Sequence, residues 1–194
     1  MALTRRDKIW HKRGNSMPKR KRLVKVTGLI VEGLCRLVEN DKKPYSELTV
    51  QDIVDEAGVC RNSFYRNYAE KDDIFRKQFA EMVQPPADAV PPEHFDYFDI
   101  FRFSCQIFEQ NQRFFRCFYR ANSAVYFDTI VGKIIRSNNP TEAIEPKAYY
   151  LYATRAWTGV GLMTEWLLHG CDLTIDELTE VLKKFFINQS WGCT

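Results

Sequence analysis

TVQDIVDEAGVCRNSFYRNYAEKDDIF, residues 49–75, holds two short helical patterns separated by a single glycine. Thr49 followed by Asp52 is a capping box: the hydroxyl takes an orphan amide of the first turn while the acid reaches back to the cap. Ile53, Val54 and Ala57 then supply one apolar face, and Gly58 stops the helix because glycine alone enters the left-handed region without a steric penalty. Just beyond, Phe64 and Tyr68 lie four apart on one side, while Arg61, Asn62, Ser63, Tyr65 and Arg66 occupy the rest of the surface. Such a pair is what a helix-turn-helix needs, the first helix buttressing and the second entering the major groove of duplex DNA.

Upstream, from Leu23, the apolar residues Val26, Ile30, Leu34 and Leu37 recur at helical spacing until Asn40, Asp41 and Pro44 end the run. Downstream a further helix is expected from about Lys71 through Ile74, Phe75 and Phe79. Residues 84–93, QPPADAVPPE, contain four of the eight prolines and cannot continue a helix. A domain boundary is therefore expected there. The resulting division is a basic flexible arm at 1–20, a head at 21–83, a Pro-rich connection at 84–92 and a second helical domain at 93–190.

The second domain reads as helical throughout. Phe98, Phe101, Cys105 and Phe108 form one stripe and Ile100, Phe103 and Ile107 another, which predicts a helix buried on two sides. Phe114, Phe115, Phe118 and Tyr119 mark the next helix, and Tyr126, Ile130, Ile134 and Ile135 the one after. A long helix is expected from about Ala143 to His169, with Tyr149, Ala153, Trp157, Val160, Thr164 and Leu167 along one face and Gly170 at its end. A second capping box, Thr174 with Glu177, opens the last helix, striped by Leu178, Val181, Leu182, Phe185 and Phe186. With no strand alternation and no internal repeat, the fold class is all-α.

The chain's 194 residues carry 28 Lys and Arg against 25 Asp and Glu, a net charge of +3 that by itself names no partner. Its distribution says more: residues 1–25 hold ten basic side chains and one acid, so the remaining chain is mildly acidic. At 45% apolar residues with 14 Phe, 9 Tyr and 4 Trp, composition excludes global disorder. No run approaches a membrane span, and the basic start is followed by more charge instead of an apolar signal core. A soluble, cytoplasmic protein is expected, with Met17 an alternative start and the six scattered cysteines reduced.

Residues 49–75 resemble the DNA-binding signature of TetR/AcrR-type transcriptional regulators, through the Ala57-Gly58-Val59 turn, the Phe64-Tyr65 pair and Lys71 at matching offsets. The resemblance implies phosphate contacts from Thr49, Tyr65 and Lys71, and contacts to base edges or flanking phosphates from Arg61, Asn62, Ser63 and Arg66. Phosphate contacts would fix register and base contacts would specify sequence. At position 60 the family usually has a capping Ser or Thr; this chain has Cys60, a poor cap.

For the second domain the resemblance implies a homodimer through the last two helices, and with it a palindromic DNA operator. It also implies a small-molecule inducer, hydrophobic or aromatic, whose binding releases a repressor. Small residues Ala153, Ala156, Gly159 and Gly161 would let helices approach closely across the dimer, and Trp166 sits either in that interface or in the core. Twelve aromatics between residues 95 and 127 either line a pocket or fill a core; the pocket candidates are Cys105, Phe108, Tyr119, Tyr126 and Trp157. The alternative is a dimeric DNA-binding or protein-interaction module with no inducer. No phosphate loop, zinc-protease pattern or nucleophile elbow appears, so no enzyme, cofactor or metal is expected, and His94 with Asp96 and Asp99 reads as a solvated helix start. The +9 arm gains a role as a sequence-independent phosphate or minor-groove contact beside the reading head.

Overall fold

Helix signals in the sequence become nine α-helices in the computed structural model, which describes residues 26–83, 96–137 and 145–187; no strand occurs among these residues. The first four are α1 (Val26–Asn40), α2 (Val50–Ala57), α3 (Arg61–Tyr65) and α4 (Asp72–Met82), with a short 3-10 turn at Tyr45–Glu47. The other five are α5 (Tyr97–Gln110), α6 (Gln112–Ala121), α7 (Ser123–Ser137), α8 (Pro146–Leu168) and α9 (Ile175–Ile187). The basic arm, the Pro-rich connection and His94 lie outside the described residues.

The caps form as the sequence dictates. Thr49 accepts from the Asp52 amide at 3.1 Å and its own amide donates to Asp52 Oδ2 at 2.7 Å, while Gly58 closes α2 at φ 65°. Thr174 and Glu177 repeat the box at the start of α9, and Gly170 follows α8 at φ 88°. Asp96 is the N-cap of α5, accepting from the Asp99 amide. The long helix starts at Pro146, later than the periodicity suggested. Proline lacks the amide that the helix interior requires and is favoured at the first position, where the Glu145 side chain caps the turn at Ala148 N.

Within the head, α1 crosses α2 so closely that a Cβ on Gly33 would stand 3.0 Å from the backbone of Ala57. Ile30, Leu34, Ile53, Phe64, Ile74 and Phe75 are fully buried beneath this crossing. The head also rests on α6. Phe75 stacks on Phe118, Phe79 meets Phe115 edge-on, and Arg113 reaches from α6 to Glu32 and Glu39 of α1. One apolar core therefore runs through both sets of helices.

Two expectations fail for a shared reason. On α5 only Phe101, Cys105 and Phe108 are buried; Ile100 and Ile107 are half-buried and Phe103 is exposed. On α8, Val160, Thr164 and Leu167 are buried but Tyr149 and Trp157 are exposed. A 3.6-residue period shows that a helix has an apolar face without showing how far a neighbouring helix extends along it.

Candidate nucleic-acid interface

The candidate reading helix α3 is a little over one turn long, and Phe64, with no exposed surface, pins it to the head. Around that anchor Arg61, Asn62, Tyr65 and Arg66 are exposed and Ser63 is half-exposed. Arg61 and Tyr65, one turn apart, are paired: the guanidinium lies 5.6 Å from the ring centroid and donates to the phenol oxygen at 3.3 Å. Arg66 is the C-cap of α3, and Asn67 folds back to the Ser63 carbonyl at 2.8 Å.

Cys60 occupies the N-cap position without making a side-chain cap bond, in keeping with the weakness of a thiol there. Its sulfur lies 3.1 Å from the Ser63 hydroxyl, a contact that lowers the thiol below its ordinary range.

Thr49 is exposed at the start of α2, and its hydroxyl is engaged twice, accepting from the Asp52 amide and donating to Asp52 Oδ2 at 2.8 Å. The same carboxylate oxygen accepts from Lys43 Nζ at 2.8 Å. These donors hold the Asp52 carboxyl well below the usual carboxylate range, the Lys43 hydrogen bond contributing most. Lys43 thus adds a cation beside the amides of α2 that the sequence reading passed over. It is nine residues from Asp52 across an irregular connection, where helical periodicity carries no signal.

Lys71 faces inward. Its ammonium donates to the backbone carbonyls of Tyr45 at 2.6 Å, Ser46 at 3.0 Å and Leu48 at 3.1 Å, and lies 4.5 Å from the centroid of the Tyr45 ring. Tyr45 in turn donates its hydroxyl to Asp72 at 2.5 Å and tilts against Phe75. Burial, with the Asp72 hydrogen bond added, pushes the Tyr45 phenol far up, so it stays a proton donor.

Away from the head, Cys105, Phe108 and Tyr126 are buried, Tyr119 is half-buried and Trp157 is exposed, leaning on Phe127. Phe108 stacks on Phe115 at 3.9 Å, and Tyr126 meets Phe118 and Tyr119 edge-on. Tyr126 and Thr164 share a hydrogen bond of 3.0 Å between α7 and α8. Burial raises the Cys105 thiol to about 12. Trp166 belongs to the core, its indole donating to the Leu173 carbonyl at 2.9 Å. The small residues also divide: Ala156 is buried, Gly159 lets the Tyr97 hydroxyl approach from α5, and nothing lies within 4 Å of a Cβ on Gly161.

Residues 41–77 match the family described as bacterial regulatory proteins, tetR family. Among solved structures the chain is similar to Lin0861 from Listeria innocua, with a TM-score of 0.65 and 18% identity over 88% of this chain and 94% of that one. It is also similar to a TetR transcriptional regulator from Rhodococcus sp. RHA1, with a TM-score of 0.49 and 14% identity over 88% and 99% of the two chains. A third likeness is to the dihydroxyacetone kinase operon activator DhaS, with a TM-score of 0.48 and 13% identity over 84% and 95%. No curated protein matches the sequence. At 18% identity the Listeria likeness concerns the path of the helices through nearly the whole of both chains.

Proposed function

We propose that this chain, whose residues 41–77 match the family described as bacterial regulatory proteins, tetR family, is a dimeric transcriptional repressor that binds a palindromic operator. The observation carrying this reading is the exposed set Arg61, Asn62, Tyr65 and Arg66 around the buried anchor Phe64. In the proposed complex Arg61 or Arg66 reads a guanine edge and Asn62 an adenine, with Ser63 beside them. Tyr65 and the α2 start at Thr49 hold phosphates. The basic arm adds contacts that carry no sequence information.

Support for the dimer lies in the distribution of exposed apolar side chains. Tyr150, Leu151 and Leu168 on α8, with Val181 and Phe185 four apart on α9, face solvent in the single chain. Large apolar side chains exposed on both helices offer surface that a second copy could bury. Pairing two chains through these helices would cover it and carry two reading heads, which a palindrome requires. In this reading the chain is a regulator without catalytic chemistry, and no helix among the described residues is long and apolar enough to cross a membrane.

Release by a hydrophobic or aromatic inducer near Phe108, Tyr119 and Tyr126 completes the repressor reading. The parallel stacking of Phe108 on Phe115 favours a second reading, in which these aromatics are core and the dimer takes no inducer. Melting-temperature screening against flat apolar compounds separates the two: a saturable rise supports the inducer, and none supports the filled core.

The DNA reading is tested by selecting fragments from a random-sequence pool with the full chain and footprinting the DNA beside its own gene. A protected palindrome is expected, with binding lost in Arg61→Ala and Tyr65→Ala. Failure to enrich any sequence would overturn the reading.

A further inference from the structure

We propose that Lys71 is a positioning residue of the DNA interface and makes no phosphate contact itself: its ammonium ties the connection before α2 to the connection before α4. The proposal rests on the DNA-binding reading above and deepens it. An ammonium has three N–H donors and no acceptor. Here three backbone carbonyls, those of Tyr45, Ser46 and Leu48, stand within 3.1 Å of Lys71 Nζ. The Tyr45 ring covers the same ammonium. A phosphate oxygen would have to take a donor away from one of these carbonyls.

The carbonyls belong to a connection whose geometry matters. The 3-10 turn Tyr45–Glu47 ends at Leu48, a buried residue immediately before Thr49, the cap of α2. The Tyr45 carbonyl already accepts from the Leu48 amide, which closes the turn at 3.1 Å, and Lys71 is its second donor; the Ser46 and Leu48 carbonyls follow that bond, where terminal carbonyls need donors from elsewhere. Lys71 comes from the other side of α3, directly before Asp72 opens α4. The Tyr45 hydroxyl adds a second tie between the same two connections through Asp72. The start of α2 and the face of α3 are thus set against each other by contacts between residues 23 to 26 apart in sequence. Without the ammonium, the Ser46 and Leu48 carbonyls lose this donor, the Tyr45 carbonyl keeps the Leu48 amide, and the Thr49 end of α2 is free to shift relative to Arg61 and Tyr65.

Charge and position can be separated experimentally. Neutralising one phosphate-contacting cation lowers the slope of log affinity against log salt by about 0.9. Losing a positioning residue weakens binding equally at every salt concentration. The DNA is a fragment enriched by the wild-type full chain from a random-sequence pool, and the variants are Lys71→Met and Lys71→Arg, assayed at a temperature where circular dichroism shows each folded. Arginine keeps the charge, but its planar fork cannot aim three donors at carbonyls converging on one point. Both variants are expected to bind about tenfold more weakly, the equivalent of one lost charge-assisted hydrogen bond, with the wild-type salt slope. A slope lowered by about 0.9 in Lys71→Met and restored with full affinity in Lys71→Arg would overturn the proposal in favour of a phosphate contact. Wild-type affinity in both would overturn it as well. If Lys71→Met does not fold, Lys71→Arg decides alone, since a phosphate contact predicts retained affinity and a clamp predicts its loss. If the wild-type chain enriches no DNA, the DNA-binding reading fails first and this proposal with it.

Discussion

Phe75 of α4 and Phe118 of α6 stack face to face, centroids 4.4 Å apart and planes within 5° of parallel, both without exposed surface. The helix-turn-helix head is therefore packed into the rest of the chain through a buried aromatic joint. Phe118 also meets Tyr126, which bonds to Thr164 of α8, so the joint continues by side-chain contact into the helix proposed to form the dimer. Phe75→Ala should cost about 3–5 kcal/mol, the usual range for emptying a buried phenylalanine site. Urea unfolding followed by circular dichroism reads that cost, and a loss below 1 kcal/mol would show that the joint collapses without penalty.

Two glycines on α1 should respond oppositely to alanine. At Gly28 nothing lies within 4 Å of the added Cβ, so Gly28→Ala should stabilise the head by about 0.5–1 kcal/mol through helix propensity. At Gly33 the same atom meets Ala57 backbone at 3.0 Å. Gly33→Ala should therefore destabilise by about 1–3 kcal/mol, because α1 and α2 must separate. Thermal melts of the two variants that shift in the same direction would contradict the close crossing.

Asp52 makes the head acid-sensitive in a defined direction. Its carboxyl is depressed, first by the Lys43 hydrogen bond and then by the Thr49 amide and hydroxyl. A depressed folded value stabilises fully above the ordinary aspartate pKa of about 4 and loses that stabilisation as pH falls through the folded value. Asp52→Asn should thus lower the urea midpoint at pH 7, and the gap from wild type should close as the pH is taken below about 4. A gap that stays constant down to pH 2 would show that the charge is not what stabilises the cap.

Arg113 bridges the joint at the surface, donating through Nε and a terminal nitrogen to the two Glu39 oxygens at 2.7 and 2.9 Å and through its other terminal nitrogen to Glu32. The pair depresses Glu39 and raises Arg113, each chiefly through their shared hydrogen bonds. All three side chains are substantially exposed, and exposed pairs couple by about 0.2–1 kcal/mol. A double-mutant cycle of Arg113→Met with Glu39→Gln should return a coupling in that range that falls as salt is raised. Coupling above 2 kcal/mol would mark the bridge as a principal fastening of the head.

The proposed dimer is tested on α9. Phe185→Glu places a charge on a side chain that is 46% exposed in the single chain, so the fold should survive. Sedimentation is expected to show a dimer for the wild type and a monomer for the variant, with unchanged helicity. A variant that sediments like the wild type would move the interface elsewhere.

Much of the head was legible in the sequence because its signals are local. The Thr49–Asp52 box, the Gly58 stop and the four-residue spacing of Phe64 and Tyr68 are each complete within a single helical turn. The exposed placement of Arg61, Asn62, Tyr65 and Arg66 follows from the same spacing once Phe64 is taken as the anchor. In α5 and α8 the helices were legible, but the burial of Phe103, Trp157 and Trp166 was not. A stripe of apolar residues reads alike whether a neighbouring helix covers it or stops short.

By itself the sequence determined an all-helical chain with a helix-turn-helix head, since caps, stops and helical period depend on residues within a few positions of one another. Only the tertiary structure decided what the charged groups of that head do. Lys43 pairs with Asp52, Arg113 joins Glu39 across 74 positions, and Lys71 turns from the surface to three carbonyls of a distant turn. A cation can satisfy its donors on a phosphate or on its own backbone with equal chemistry, and which partner it meets depends on how the chain has folded around it.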